Sequence, residues 1–98
     1  MSEFTDMIAG KKPTVVDFFA TWCGPCRVQG PILEQVKSAV GDDANVIKVD
    51  IDKNQELAAK YNVRSVPTLM VFKNGELLWR ESGYRPAAEL MTVLAQYY

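Results

Sequence analysis

A chain of 98 residues, 48% apolar and 23% charged, has the composition of an ordinary globular protein and enough apolar surface for one small core. A formal net charge of −1 leaves no overall positive field to hold a polyanion, which disfavours nucleic acid as the main ligand. Its apolar runs span only a few residues, too short for a membrane-spanning helix, and two cysteines are too few for a secreted disulfide scaffold.

The opening Met-Ser-Glu-Phe-Thr-Asp has neither the basic flank nor the apolar stretch of a secretory signal, so a cytoplasmic protein is expected. Ser2 is a good helix cap, and Phe4, Met7 and Ile8 follow at amphipathic spacing before Gly10. Lys11-Lys12-Pro13 breaks this first helix. Thr14 to Ala20 is β-branched and aromatic, the pattern of a strand buried on both faces. After a turn over Thr21 to Pro25, a helix is predicted to about Val40. Its apolar stripe is Val28, Ile32, Leu33, Val36 and Val40, with Gln29, Glu34, Gln35 and Lys37 turned to water and a kink at Gly30-Pro31.

Gly41-Asp42-Asp43 ends that helix, and Asn45 to Ile51 reads as a second strand. Asp52 is read as the cap of a short helix through Leu57, Ala58 and Tyr61, closed by Asn62. Thr68 to Lys73 and Glu76 to Glu81 flank Asn74-Gly75, a strong hairpin signal. The last helix is expected to begin with Pro86 at its first turn and to bury Leu90, Val93, Leu94 and Tyr97. The order α-β-α-β-α-β-β-α calls for an α/β domain spanning residues 1–98. It combines parallel strands, helices on both faces of the sheet and a closing antiparallel hairpin.

Trp22-Cys23-Gly24-Pro25-Cys26 sits where the first strand ends and a helix begins. Two intervening residues allow a disulfide, yet so small a ring constrains little chain and makes a poor structural staple. Cys23 falls at or beside the helix N-cap, where unpaired N–H groups and the helix dipole favour a thiolate. The carboxyl ends of strands in open α/β sheets are also where ligands bind. Half of a zinc site and a pair of inert packed thiols are the competing readings. The first lacks ligands, since the chain has no His and no further Cys, and the second is disfavoured by the turn position. Reversible thiol–disulfide exchange fits best.

Asp17 interrupts the doubly buried strand, where an ionised carboxylate is costly; the alternative is an aspartate reaching past a sheet end into water. Local sequence alone makes Pro67 an ordinary trans proline at the start of an edge strand.

Together with Val16-Asp17-Phe18, Gly30-Pro31-Ile32-Leu33, Arg64-Ser65-Val66-Pro67-Thr68-Leu69 and Phe72-Lys73-Asn74-Gly75, the cysteine motif resembles the thioredoxin family from Val15 onward. The resemblance implies the three-layer α/β/α thioredoxin fold and a protein disulfide reductase cycling between the Cys23/Cys26 dithiol and disulfide. It implies that Asp17 is a buried proton acceptor near Cys26 with a raised pKa, and that Lys48 accompanies it, although a lysine on an exposed face is the competing reading. It further implies a cis Val66–Pro67 bond facing the cysteines and a substrate rim of Trp22, Gly24, Pro25, Val66, Pro67, Ser82 and Gly83. Disulfide-containing proteins are the expected substrates and a flavin- and NADPH-dependent thioredoxin reductase the expected donor; the chain itself needs no cofactor and is expected to be a monomer.

Three departures stand out. Family members commonly carry a strand before the first helix, and here only thirteen residues, read as helix, precede Thr14. A four-stranded sheet with Asn45–Ile51 as an exposed edge is therefore expected. Phe19 stands where the family often has Trp. Tyr84-Arg85 follows Gly83 where small or acidic residues are frequent, giving a bulkier and more basic rim. Within redox chemistry the rival is an oxidase or isomerase, which Gly24-Pro25 disfavours. The rival from another class is a binding subunit that never uses its sulfurs.

Overall fold

A computed structural model describes residues 2–98, the side chain of Ser2 excepted, so the cap read at Ser2 lies outside the described residues. The elements are α1 (Ser2–Ile8), β1 (Thr14–Phe19), α2 (Gly24–Val40), β2 (Asn45–Asp50), α3 (Gln55–Lys60), β3 (Thr68–Lys73), β4 (Glu76–Ser82) and α4 (Ala87–Ala95), with one 3₁₀ turn over Gly41–Asp43. The sheet has four strands in the order β2-β1-β3-β4, and β2 is an edge, as the short N-terminal segment led one to expect. Strand β1 pairs parallel with β2 and antiparallel with β3, so the crossover through α2 joins two adjacent parallel strands.

Side-chain alternation along β1 builds the two cores. Val15 faces α2 and α4, packing with Leu33, Val36, Leu69, Val71, Leu90 and Leu94. Val16 and Phe18 leave the opposite face and meet Phe4 and Ile8 of α1, Leu57 of α3, and Met70 and Phe72 of β3. Phe4 lies edge-on to Phe72, with ring centroids 5.7 Å apart, and together these contacts dock a seven-residue helix too short to persist alone. Asn74 and Gly75 both take positive φ (54° and 80°), the type I′ geometry that Asn-Gly favours. The hairpin closes with one bulge, where Val71 pairs with Trp79 but Phe72 with Leu77.

Three local expectations are corrected. Helix α2 buries Cys26, Gln29, Leu33, Val36 and Val40, whereas Val28 is 56% exposed and Gln29 fully buried. The buried positions alternate three and four residues apart, so the face is set by helical period from Cys26, and the β-branched Val28 falls outside it. Asn54, not Asp52, precedes α3; the Asp50 carboxylate instead accepts the backbone N–H groups of Asp52 and Lys53 and shapes the turn before that helix. Pro86 is the N-cap of α4 rather than its first helical residue, with extended backbone (φ −71°, ψ 159°). Pro31 lies inside α2, which continues through it.

Candidate active site

Cys23 caps α2 from extended backbone, and its Sγ accepts the Cys26 N–H at 3.2 Å. Proline at the start of the helix has no N–H to leave unsatisfied, so the first turn presents the Cys26 amide to the Cys23 sulfur without competition. The two cysteines are joined as a disulfide with Cα atoms 5.3 Å apart. Both are nearly buried, packed against Ala20 and flanked by Phe19, Ile51 and Val66. In the dithiol state this geometry stabilises a thiolate at Cys23, because an N–H donor and the positive helix end both point at its sulfur. Among the described residues no group of three or more His, Cys, Asp or Glu is placed to hold a metal ion.

The Val66–Pro67 bond is cis, as the resemblance implied. The Val66 carbonyl oxygen lies 3.5 Å from Cys23 Sγ. The Pro67 carbonyl accepts the Gly83 N–H at 2.8 Å, and the Thr68 hydroxyl lies 3.1 Å from Ser82 Oγ, so the loop before β3 and the end of β4 are tied together beside the disulfide. Trp22 is 66% exposed, and its indole N–H donates to the Asp52 carboxylate at 2.9 Å. Gly24, Pro25, Ser82 and Gly83 are exposed, Val66 is half-buried and Pro67 buried. The structure thus brings every residue expected at the rim to one end of the sheet, on two sides of Cys23.

Asp17 lies on the α2 face of β1, between Val15 and Phe19, with no exposed surface. Neither carboxylate oxygen has a hydrogen-bond partner among the described residues. Burial pushes its pKa from 3.8 up to about 6, with the Lys48 charge pulling it part of the way back. Lys48 is the register partner of Asp17 on β2, so both side chains leave the same face of the sheet. Its ammonium stays exposed and lies 4.9 Å from the centroid of the Phe19 ring, a cation–π contact. Phe19, Cys26, Gly30, Pro31 and Lys48 line a surface cleft of about 660 Å³ that reaches Cys26. Both readings of Lys48 therefore hold in part: the side chain is solvated, yet its charge is felt by Asp17.

Three residues beside the site make contacts that the sequence reading did not assign to them. Asp52 orients the Trp22 indole, and Gln29 and Arg85 pair between α2 and the segment after β4. Helical spacing from Cys26 puts Gln29 on the buried face and would have found it; nothing local in the sequence pairs Asp52 with a tryptophan thirty residues away.

A redox-capable disulfide at a helix N-terminus, on the carboxyl end of a central strand and facing a cis-proline loop, defines a thiol–disulfide oxidoreductase site. A family model described as thioredoxin matches residues 1–96. A thioredoxin-like protein from Synechocystis is 46% identical over 94 residues, which cover 95% of this chain and 90% of that protein. Thioredoxin from Alicyclobacillus acidocaldarius is 40% identical over 94 residues, with 96% and 90% covered. Among solved structures, a mutant thioredoxin from Halobacterium salinarum superposes with a TM-score of 0.89 at 37% identity, covering 99% of this chain and 84% of that one. The Malassezia sympodialis thioredoxin gives 0.88 at 34% identity, with 98% and 84% covered. The chain belongs to the thioredoxin family, whose members are thiol–disulfide oxidoreductases.

Proposed function

We propose that this single domain reduces protein disulfides, with Cys23 as nucleophile, Cys26 as resolving thiol and Asp17 as the proton acceptor for Cys26. The observation that carries the reading is the Cys26 N–H held on Cys23 Sγ at the helix N-terminus, which distinguishes the two sulfurs electrostatically. Cys23 thiolate attacks one sulfur of a substrate disulfide. The substrate S–S bond breaks, its electron pair leaves on the departing sulfur, and that sulfur takes a proton from water. Cys26 then gives its proton to the Asp17 carboxylate and attacks Cys23 Sγ. The mixed disulfide breaks, and the second substrate sulfur leaves as a thiolate that is protonated in turn. The substrate gains two electrons and two protons, and the pair is left oxidised. A carboxyl group with a pKa near 6 is mostly ionised at neutral pH and still basic enough to take a proton, and Lys48 keeps it there.

Trp22, Gly24, Pro25, Val66, Pro67, Ser82 and Gly83 form the surface that receives the substrate polypeptide, in part by backbone pairing at Val66. By family likeness a flavin- and NADPH-dependent thioredoxin reductase returns the pair to the dithiol, so that the chain acts as a monomeric electron carrier in cytoplasmic redox homeostasis. No helix among the described residues is long and apolar enough to cross a membrane. The test of roles is a pair of variants incubated with disulfide-containing proteins. Cys26→Ser accumulates covalent adducts through Cys23, while Cys23→Ser accumulates none; the reverse pattern overturns the assignment.

A further inference from the structure

Gln29 is a fully buried polar residue that the redox steps do not use. It lies one turn beyond Cys26 on the same face of α2. Its Nε2 donates to the Arg85 carbonyl at 2.9 Å, and its Oε1 accepts the Arg85 N–H at 2.8 Å. One side-chain amide thus takes both backbone groups of a single residue, as a neighbouring strand would, in a segment that has no strand partner there. The pairing is mutual in its demands. Without Arg85 the Gln29 amide is buried unsatisfied; without Gln29 the Arg85 N–H and carbonyl lose their partner.

The segment so held borders the disulfide. Gly83 donates to the Pro67 carbonyl, and the adjoining Val66 carbonyl lies against Cys23 Sγ. The Arg85 guanidinium folds back onto the Ser82 carbonyl at 3.0 Å and meets the carboxylates of Glu81 and Glu89. Contacts therefore close a ring from α2 through Gln29 and Arg85 to Gly83, Pro67 and Val66, and back to Cys23 at the head of α2. Tyr84 stands in the middle of the held segment, 44% exposed.

We propose that Gln29 is a positioning residue for substrate recognition. It fixes Gly83–Arg85 as one wall of the rim beside Cys23, with Tyr84 as the face offered to polypeptide flanking the target disulfide. The inference rests on the reductase reading of the site. A wall tied to the helix that carries both cysteines keeps its distance from the attacking sulfur, and ordering it in advance removes that cost from binding. Protein disulfides, which bring chain on both sides of the sulfur, meet the wall; a small disulfide reaches Cys23 without it.

Gln29→Met, close in shape but unable to pair with both Arg85 groups, tests this directly. The expected result is a KM for insulin raised about tenfold, equivalent to about 1.4 kcal/mol, with kcat within about twofold. The ratio of kcat/KM for insulin to that for hydroxyethyl disulfide falls by a similar factor, and the Arg85 amide loses protection in hydrogen exchange. Should Gln29→Met fail to fold, Tyr84→Ala at an exposed position reports on the same wall through a raised insulin KM. Parallel losses on both disulfides with a shifted midpoint potential would mean that Gln29 acts on the dithiol, and overturn the proposal. Unchanged insulin kinetics alongside an unprotected Arg85 amide, or an unchanged insulin KM in Tyr84→Ala, overturn it too. If the unaltered protein reduces neither disulfide, the reductase reading fails first and takes this inference with it.

Discussion

Replacing Asp17 by Asn makes the cost of the buried carboxylate measurable. Burial raises the folded-state pKa from 3.8 to about 6, so the folded protein holds this proton more tightly than the unfolded chain does. Well below pH 4 both states are protonated and the group contributes nothing. As pH rises from about 4 to 6 the unfolded chain releases its proton first, and stability is lost. Above about pH 6 both states are ionised and the full penalty stands. At about 1.4 kcal/mol for each tenfold in proton affinity, that penalty is about 3 kcal/mol. Asp17→Asn removes it, because the amide does not ionise. A buried amide without partners carries a cost of its own, of about 1–3 kcal/mol, but that cost does not vary with pH. The quantity to measure is therefore the stability difference between Asp17→Asn and the unaltered protein from urea unfolding between pH 4 and pH 8. Both proteins are kept oxidised so that Cys23 and Cys26 do not titrate. The difference should move in favour of the variant by about 2–3 kcal/mol across that range, with the change centred between pH 4 and 6. A difference that stays flat would mean that the Asp17 carboxylate is solvated, and would remove the physical basis for its role.

Other outcomes follow from particular contacts. Asp52→Ala frees the Trp22 indole from its 2.9 Å hydrogen bond, so indole fluorescence should shift while stability, the pair being exposed, changes by less than about 1 kcal/mol in urea unfolding. The face of α2 is tested by Val28→Lys, expected within about 0.5 kcal/mol of the parent, against Val36→Ala, expected to cost about 1–3 kcal/mol by the same measurement. Phe4→Ala removes the ring that meets Phe18, Tyr61 and Phe72; a loss of about 3–5 kcal/mol is expected, with hydrogen-exchange protection lost first in α1.

Much of this molecule is legible in its sequence because its signals are local and strong. Val15, Val16, Phe18 and Phe19 mark a strand with no solvent face, and Asn74-Gly75 specifies a two-residue turn whose positive φ values few other pairs adopt. The segment before Thr14 reads as helix and not as strand, and β2 is an edge of the described sheet. The cysteine motif announces the helix N-terminus because its two-residue spacing, glycine and proline are all properties of a first turn. What escaped depends on tertiary partners. Spacing from Cys26 puts Gln29 on the buried face, but the partner that satisfies its amide, Arg85, lies fifty-six positions away and carries no local signal. Asp50 and Asp52 are equally good turn formers by type, and only the path from β2 into α3 decides that Asp50 holds the turn while Asp52 turns to Trp22. Pro86 misses the expected helical position by one residue, with the Arg85 N–H just before it held by Gln29.

The central claim is that Cys23 and Cys26 form a reversible couple poised to donate electrons. Its most direct test is the midpoint potential, obtained by equilibrating the protein against defined dithiothreitol ratios and reading the fraction oxidised. The account predicts one reversible two-electron transition near the family's own value of about −270 mV, strongly reducing relative to the oxidants and isomerases that use the same chemistry. A potential above about −200 mV would contradict it, and a pair that shows no reversible transition would leave only a binding role for the surface around the sulfurs.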